Sequence, residues 1–281
     1  MFNIKMVARA FWQAIVKLND DGGLAVASNV ALSLLLSLFP FFMLIASLLR
    51  LYGDPSLSDQ VVELLLGHWP AGSAEPIART VETLLSQPAG EFFSAGTIIA
   101  LVLATNGVEN ARDGLNRAYK IKETRSFIWR RVQGAVFVLL GALGLIVAAF
   151  ILVATPLVWA FLAAKIPFLM EYSFTVTIVQ YGLAMIILSF VLYAFHRFLP
   201  NMKGQDRTII WGLLLSIFGI IAGSKLFGIY LQNIANYTAL YAGLAGMMIA
   251  IVYLYCLSVL ILFGAEFNTA LSEERERSAS L

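Results

Sequence analysis

Lys225 is the residue whose position points most directly to chemistry, because it is a cation within a long apolar segment. A charged side chain near the centre of a membrane-spanning helix costs about 2.5–3.5 kcal/mol, so residues of this kind are candidates for function. Lys225 lies towards one end of its segment, where a long side chain can also extend to the lipid headgroups. Attraction of an anionic substrate and simple extension to the headgroups are therefore both open interpretations.

Four polar side chains in other apolar stretches are further candidates for contact with a substrate. Serine and the carboxamides can donate and accept hydrogen bonds inside a helix bundle, where water is scarce. The same residue types also join neighbouring helices, which is the alternative role for each of them. The four candidates are Ser33, Ser37, Asn106 and Gln180.

Catalysis and metal binding have little support in the sequence. Metal-dependent cleavage of a phosphodiester needs clustered carboxylates or histidines. The chain has two histidines far apart, one cysteine and, in its basic segments, only scattered carboxylates: Glu109, Asp113, Glu123 and Asp206. No phosphate-binding loop or nucleophile motif is present in the sequence. We therefore expect no catalytic residue, no metal site, no cofactor and no nucleic-acid partner.

Residues 106–131 form a dense basic segment between apolar stretches. Seven arginines and lysines stand against three carboxylates there, which gives a net charge of +4. The positive-inside rule places such a segment on the cytoplasmic face of a membrane. Contact with anionic lipid headgroups is an additional role for four of its residues, which are Arg112, Arg117, Lys120 and Lys122.

Glu266 and Pro40 have predicted structural roles. Glu266 follows the last apolar segment. We expect it to form an ion pair with Arg130 or Arg131, which would tie this end of the chain to the basic segment. Pro40 lies in the middle of the first apolar segment. Because proline removes an amide donor and clashes with the preceding turn, we expect a helix kink there.

The composition predicts a membrane protein. Of the 281 residues, 60% are hydrophobic and 13% are charged, and the mean hydropathy is +0.83. Soluble domains are about half apolar and about a quarter charged. The chain therefore has too few charged residues to cover a soluble surface, and its single cysteine excludes an intramolecular disulfide.

The predicted fold is an all-α polytopic membrane protein with six transmembrane helices. A helix of about 20 apolar residues crosses the hydrocarbon core of a bilayer. Basic residues recur in alternate connecting segments, so both termini are expected in the cytoplasm. The second span is expected to continue as a helix beyond the membrane, since apolar residues keep helical spacing as far as Ala118. The six predicted spans are residues 30–49, 92–108, 133–161, 174–195, 208–231 and 240–263.

The segments around these spans divide the chain further. Residues 1–24 carry apolar side chains at helical spacing, which predicts an amphipathic helix in the membrane interface. The membrane domain, residues 25–270, includes an acidic stretch at 53–91 that predicts a small periplasmic helical cap. Residues 271–281 are expected to form a charged cytoplasmic tail.

Small residues at helical spacing indicate where helices approach closely. Gly219 and Gly223 form a GxxxG pair in the fifth predicted span, and Gly246 with Ala250 repeats the spacing in the sixth. Close approach of backbones explains such spacing, either within one chain or between the chains of a homo-oligomer.

Five stretches of the chain carry a resemblance: Leu32–Phe42, Gly114–Arg131, Leu199–Gly212, Lys225–Tyr230 and Tyr241–Leu271. The more distinctive ones contain Leu-Asn-Arg-x-Tyr, beginning at Leu115, and Gly-Ala-Glu-x-Asn, beginning at Gly264. Together they resemble the YihY/BrkB family of bacterial inner-membrane proteins, once labelled ribonuclease BN. The resemblance implies a multi-pass inner-membrane protein with six helices, and it implies no settled activity and no catalytic residues.

Three classes of function follow from these features. A transporter or flippase-like protein for amphiphilic or anionic envelope molecules is the interpretation that Pro40, Lys225 and the amides in apolar segments favour. A non-transporting scaffold in envelope assembly is the alternative. A ribonuclease, as in the old family label, has the least support because the carboxylates are scattered. Membrane lipids are the expected partners.

Overall fold

The computed structural model describes residues 4–50, 95–202, 209–233 and 245–279, which are helical apart from short connections. The predicted all-α class is therefore confirmed for the described part of the chain. The helices are α1 (Ile4–Asp20), α2 (Gly23–Arg50), α3 (Ala95–Ala118), α4 (Phe127–Lys165), α5 (Ser173–Phe198), α6 (Ile210–Asn233) and α7 (Ala245–Ala279), with a 3-10 turn, Pro167–Tyr172, before α5.

Four of the described helices are long and apolar enough to cross a membrane, and they correspond to the last four predicted spans. The first two predicted spans, residues 30–49 and 92–108, fall on α2 and on the first half of α3. As the apolar spacing predicts, α3 continues to Ala118. The acidic stretch 53–91 lies outside the described residues. The four candidate membrane segments are Phe127–Leu152, Phe168–Phe198, Ile210–Leu231 and Met247–Ser278.

Large apolar side chains cover the outer faces of α4, α5 and α6. Phe150, Phe174, Phe190 and Phe218 are 59–77% exposed. Contiguous apolar surface of this kind is rare on soluble monomers and marks contact with lipid or with another protein. These three helices therefore have the surface expected of a protein dissolved in a bilayer.

The centre of the described bundle is formed by α3 and α7. α3 packs against α2 and α4, while α7 packs against α1, α2, α3 and α6, and α5 packs on α4. A large apolar core joins buried side chains of these elements, including Leu115, Phe137, Leu199 and Leu262. It lies close to residues 119–126, which link α3 to α4 and are called the connector below.

α6 and α7 cross with their backbones almost in contact. A Cβ on Gly212 would overlap the carbonyl oxygen of Gly264. One turn along, Ser216 donates a hydrogen bond to the carbonyl oxygen of Leu260 at 3.1 Å. A Cβ on Gly219, in the predicted GxxxG pair, would lie 2.9 Å from the Leu260 side chain. These small residues therefore serve packing within one chain, because a neighbouring helix of the same chain already fills the space beside them.

α1 packs along the last part of α7. Its buried face consists of small residues, and Ala10 and Ala14 share an apolar cluster with Phe267. At the edge of this contact, Lys17 forms an ion pair of 2.5 Å with Glu273. The first and last described helices are therefore joined by apolar packing and by charge.

Beside this buried face, α1 has apolar side chains that are exposed or partly exposed. Trp12 is 67% exposed, and Val7, Phe11 and Ile15 are exposed as well. Leu18, which continues their stripe in the sequence, is buried. Phe11 also packs edge-on against Phe263 of α7, with ring centroids 5.2 Å apart. An amphipathic helix whose apolar side chains are only partly covered by the described protein suits the membrane interface that the sequence predicts for it.

α7 is longer than the predicted span. The predicted span ends at residue 263, whereas the helix continues to Ala279 and includes most of the predicted charged tail, residues 271–281. Contacts with α1 and the connector accompany this extension. Gln13 donates to Glu274 at 2.8 Å, and Glu273 accepts from Lys120 at 3.0 Å.

A tight turn joins α1 to α2. Gly22 adopts φ = 67°, in the left-handed region that favours glycine. α2 then runs as one helix through Pro40. The kink predicted at this proline stays a prediction.

Candidate functional site

A half-open cavity with several polar side chains, called the polar cavity below, lies between α2, α3 and the start of α4. Its volume is about 380 Å³, which is within the range of small-ligand sites. Three of the four polar side chains predicted to contact a substrate line it together. The lining residues are Ser33, Leu36, Ser37, Leu103, Asn106, Glu109, Asn110 and Arg131.

Helical spacing brings the polar side chains of each helix to one wall of the cavity. On α2, Ser33 and Ser37 are four residues apart and share a face. On α3, Asn106 is followed three and four residues later by Glu109 and Asn110. Polar side chains of α2 and α3 therefore face one another across the cavity.

α2 and α3 approach closely because Gly107 has no side chain. A Cβ at this position would lie 3.0 Å from Ser37 Oγ. Asn110 Nδ2 donates to Ser33 Oγ at 2.8 Å, and Ser37 Oγ donates to the carbonyl oxygen of Leu103 at 3.3 Å. These hydrogen bonds between the two helices fix the width of the cavity.

Arg131 forms the third wall of the cavity, from α4. Its Nη1 donates to Thr105 Oγ1 at 2.9 Å and to Asn106 Oδ1 at 2.7 Å. Its guanidinium also lies over the ring of Phe127, 5.3 Å from the centroid, where a cation is attracted to the aromatic face. One side chain thus connects the start of α4 to the polar stripe of α3.

Three arginines surround Glu109. Guanidinium nitrogens of Arg112, Arg130 and Arg131 lie 3.5, 3.2 and 3.5 Å from its carboxylate oxygens. The carboxylate is partly shielded, with 18% of its side chain exposed. The cluster around Glu109 therefore carries more positive than negative charge, although only Glu109 and Arg131 of this cluster line the cavity.

Glu266 does not form the predicted ion pair with Arg130 or Arg131, and that prediction is wrong. Glu266 is 2% exposed on α7, and Lys17 and Lys120 are among its charged neighbours. The start of α4 packs against α3, so both arginines reach the carboxylate on α3 instead. Sequence reasoning missed this partner because the choice between two acidic residues depends on which helices are neighbours.

Arg112 is fully buried, at 0% exposure, so it does not contact lipid headgroups as the sequence predicts. Its Nη2 donates to the carbonyl oxygen of Arg130 at 3.0 Å. Its Nε and Nη1 have no hydrogen-bond partner among the described residues. Of the other predicted headgroup residues, Arg117 and Lys122 are exposed, and Lys120 is exposed but held by an ion pair to α7.

The connector carries a second polar cluster, which sequence reasoning missed. Arg125 donates to both carboxylate oxygens of Glu123, at 2.8 and 2.6 Å, to Gln133 Oε1 at 2.8 Å and to the carbonyl oxygen of Leu199 at 2.8 Å. Asn116 also donates to Glu123, at 3.0 Å. The cluster therefore joins the end of α3, the start of α4 and the residue that follows α5.

Arg125 controls the charge of Glu123. Burial acts to raise the pKa of Glu123, but hydrogen bonds from Arg125 and Asn116 outweigh burial and lower the pKa to about 2. A carboxylate that accepts several hydrogen bonds favours its ionised form. Glu123 is therefore negatively charged at neutral pH, and it compensates the charge of Arg125.

A third polar cluster is fully buried where the connector, α5, α7 and the start of α6 meet. Tyr119 Oη lies 2.9 Å from His196 Nδ1, and Asn268 Nδ2 donates to Tyr119 Oη at 3.2 Å and to the carbonyl oxygen of Ile209 at 3.0 Å. Asn268 Oδ1 accepts from the amide of Gly212 at 2.7 Å. Hydrogen-bonded networks of this kind specify how helices meet.

The other two predicted substrate residues lie away from the cavity. Lys225 is exposed on α6 and does not line it. Gln180 is buried, and its Nε2 donates to the carbonyl oxygen of Leu152 at 2.9 Å. That bond joins α5 to α4, which is the alternative role that the sequence allows for this residue type.

The side chains of the cavity determine which chemistry it can support. They supply hydroxyls, carboxamides, one carboxylate and one guanidinium. Within the described ranges, no group of three or more histidine, cysteine, aspartate or glutamate side chains could hold a metal ion. The cavity is suited to recognise a polar or charged ligand by hydrogen bonds and ion pairs.

Comparisons with known proteins identify relatives of this chain. A model of the family described as virulence factor BrkB matches residues 14–280. YfkH of Bacillus subtilis, which has a ribonuclease-like name, is 28% identical over 259 residues, which cover 90% of this chain and 92% of YfkH. A UPF0761 membrane protein of Alteromonas mediterranea is 22% identical over 268 residues, which cover 93% of this chain and 87% of the relative.

A UPF0761 membrane protein of Chromobacterium violaceum is 22% identical over 252 residues, which cover 89% of this chain and 58% of the relative. No solved structure matches the chain. The family match extends over nearly all of the described helices, and it confirms the resemblance found in the sequence. The chain therefore belongs to the BrkB family and is a multi-pass protein of the bacterial inner membrane.

Proposed function

We propose that this protein moves an amphiphilic or anionic envelope molecule across the membrane, as a transporter or flippase-like protein, and that the polar cavity is its binding site. One observation carries the proposal: hydroxyl, carboxamide and guanidinium groups converge on a cavity inside an apolar bundle. Four of its lining residues, Asn106, Glu109, Asn110 and Arg131, belong to the basic segment 106–131. In the proposed topology the cavity therefore lies at the cytoplasmic end of the spans, where an anionic headgroup can enter or leave. A bundle that only anchored or supported other proteins would not require such a cavity.

The proposal includes a topology. Both termini and the connector are cytoplasmic, the stretch 53–91 is periplasmic, and α2 and α3 complete a set of six spans. Reporter fusions after Ala71, Tyr119 and Leu281 are expected to report periplasm, cytoplasm and cytoplasm, respectively. The measurement is alkaline phosphatase activity in whole cells, because this enzyme is active only in the periplasm. Phosphatase activity from the Tyr119 fusion would rule out the six-span arrangement.

Filling the cavity tests the proposed transport directly. Leu36 lines the cavity and makes no polar contact that a larger side chain would remove. Leu36→Trp should therefore obstruct the cavity without breaking a hydrogen bond of the bundle. The assay uses proteoliposomes that contain a fluorescent anionic phospholipid. We expect wild-type protein to move the probe from the inner to the outer leaflet, where dithionite removes its fluorescence. We expect the Leu36→Trp rate to be about tenfold lower, as for a loss of about 1.4 kcal/mol.

Leu32→Trp is the matched control, because Leu32 lies one turn away on the same helix, is exposed and does not line the cavity. It should translocate the probe at the wild-type rate. Equal rates for both tryptophan variants would remove the cavity from the pathway. Lys225→Met tests the other candidate for attracting an anion, and a rate equal to wild type would remove this lysine from the mechanism.

A non-transporting scaffold is the second candidate. The observation that favours it is the exposed apolar face of α1, which suits binding to a membrane surface or to another protein. A homo-oligomer would be one form of such an assembly. No translocation of any anionic lipid, with insertion and folding intact, would favour the scaffold. Metal-dependent cleavage of RNA by the purified protein would instead favour the ribonuclease-like reading of a relative's name.

A further inference from the structure

Several hydrogen-bond donors at the cavity have no acceptor among the described residues. The described contacts of the Arg131 guanidinium to polar groups all involve Nη1, so its Nε and Nη2 have no described partner. Asn106 uses its Oδ1 to accept from Arg131, and no described contact involves its Nδ2. The hydroxyl of Ser33 accepts from Asn110, and no described group accepts from it. The cavity therefore offers more donors than the described residues satisfy.

The charges around the cavity have the same imbalance. One carboxylate, Glu109, faces three guanidinium groups. Asp113, one turn farther along α3, adds a second carboxylate. The three guanidinium groups still outnumber the two carboxylates, so the cluster keeps a net positive charge. Arg112 is 0% exposed, and its Nε and Nη1, together with Nε of Arg130, are buried without a hydrogen-bond partner among the described residues. Arg112 and Arg130 do not line the cavity, so an anion bound there would balance the net charge of the cluster and would not accept these hydrogen bonds.

An oxyanion with more than one negative charge fits both imbalances. The Nε and Nη2 groups of arginine form a planar fork that binds two oxygens of a phosphate or a carboxylate at once. A carboxylate would bring a single charge, whereas a phosphomonoester carries about −1.5 to −2 at neutral pH. We propose that the cavity binds a phosphomonoester group, held by the free edge of Arg131 with Asn106 and Ser33 as further donors. This proposal rests on the proposed function, since it names the chemical class of the cavity's ligand.

Glu109 acts in this arrangement as an internal competitor for Arg131. Its carboxylate lines the cavity and lies 3.5 Å from Arg131 Nη1, while Arg112 and Arg130 hold it from the side of α3 and α4. An entering phosphate is repelled by this carboxylate and attracted by the guanidinium. Removing the charge of Glu109 should therefore strengthen phosphate binding, a result that a purely structural ion-pair cluster does not produce.

Two probes separate the sources of the phosphomonoester. Inorganic phosphate, titrated by calorimetry into protein in uncharged detergent, represents the free anion. Phosphatidic acid, compared with phosphatidylcholine in lipid nanodiscs, represents a lipid headgroup, and native mass spectrometry measures the lipid retained. Binding of either probe supports the proposal and identifies the source. Binding of neither overturns it.

Four variants test the assigned contacts. Arg131→Gln should weaken phosphate binding about tenfold or more, as expected for a charged, two-point hydrogen bond. Arg131→Lys keeps the charge but loses the fork, so its affinity should lie between those of Arg131→Gln and wild type. Glu109→Gln should bind phosphate more tightly than wild type. Arg117→Gln removes an exposed basic residue of α3, the helix that carries Glu109, and this variant should bind phosphate as wild type does.

The outcomes distinguish this proposal from the proposed transport. Equal affinity in wild type, Arg131→Gln and Glu109→Gln overturns the assigned site, even if translocation is observed. Affinity that follows the predicted order supports the site, even if no lipid crosses the membrane and the transport proposal fails. A loss in Arg117→Gln as large as that in Arg131→Gln would show general attraction to basic charge and would overturn the assignment.

Discussion

Replacement of Gly212 by alanine is expected to prevent stable packing of α6 on α7. The added Cβ would overlap the carbonyl oxygen of Gly264 and lie 2.6 Å from Cγ of Asn268. The first of these neighbours is backbone, and the second is a side chain that makes three hydrogen bonds. Neither can move without separating the helices, so we expect a loss of about 3 kcal/mol or more. The measurement is the melting temperature of the purified protein in detergent.

Gly182→Ala is the matched control, because a Cβ at this helical position on α5 would meet nothing within 4 Å. Alanine is favoured over glycine in helices, so this variant should be as stable as wild type or slightly more stable. Equal melting temperatures for Gly212→Ala and Gly182→Ala would mean that α6 and α7 do not cross at this glycine.

Replacement of Arg125 by methionine is expected to destabilise the connector by about 3–5 kcal/mol, as for a buried pair that loses one partner. Arg125 and Glu123 are 9% and 17% exposed, so neither ion is well hydrated once alone. The variant also leaves Gln133 and the carbonyl oxygen of Leu199 without this donor. Thermal unfolding in detergent measures the loss of stability. Arg117→Met is the control, and because Arg117 is exposed, this variant should be about as stable as wild type.

The dependence of stability on pH gives a second readout of the same pair. Because folding lowers the pKa of Glu123 from 4.5 to about 2, its contribution to stability is fully present above about pH 4.5. The contribution, about 3 kcal/mol for this shift, is lost as the pH falls from about 4.5 to about 2. In Arg125→Met this acid-dependent loss should become smaller. An unchanged pH profile would show that Arg125 does not control the charge of Glu123.

The sequence predicts the helices better than it predicts their partners. Long apolar runs place α4, α5, α6 and most of α7, because length and hydropathy are properties of one segment at a time. The extension of α7 to Ala279 depends on α1, which supplies Lys17 and Gln13 to the acidic residues of the extension. A charged segment alone does not reveal that such a partner exists.

The candidate site was predictable only in its components. Ser33, Ser37 and Asn106 stand out in the sequence as polar residues among apolar ones, and the cavity brings them together. Arg131 is visible as a basic residue, but its role depends on the packing of α4 against α3. Glu109 has no local signal that separates it from other carboxylates of the basic segment. Recognition of the site therefore required the arrangement of three helices.

The contact between α1 and α7 has a consequence for the order in which the protein is made. The carboxylate that holds Lys17 is 256 positions later in the chain, so α1 leaves the ribosome long before its partner exists. Until then its alanine face, Ala10 and Ala14, has no α7 to cover it. Its exposed face, with Trp12, can rest on the bilayer during that interval. Closure of this contact is therefore a late event in biogenesis, because it needs a helix made early and one made much later.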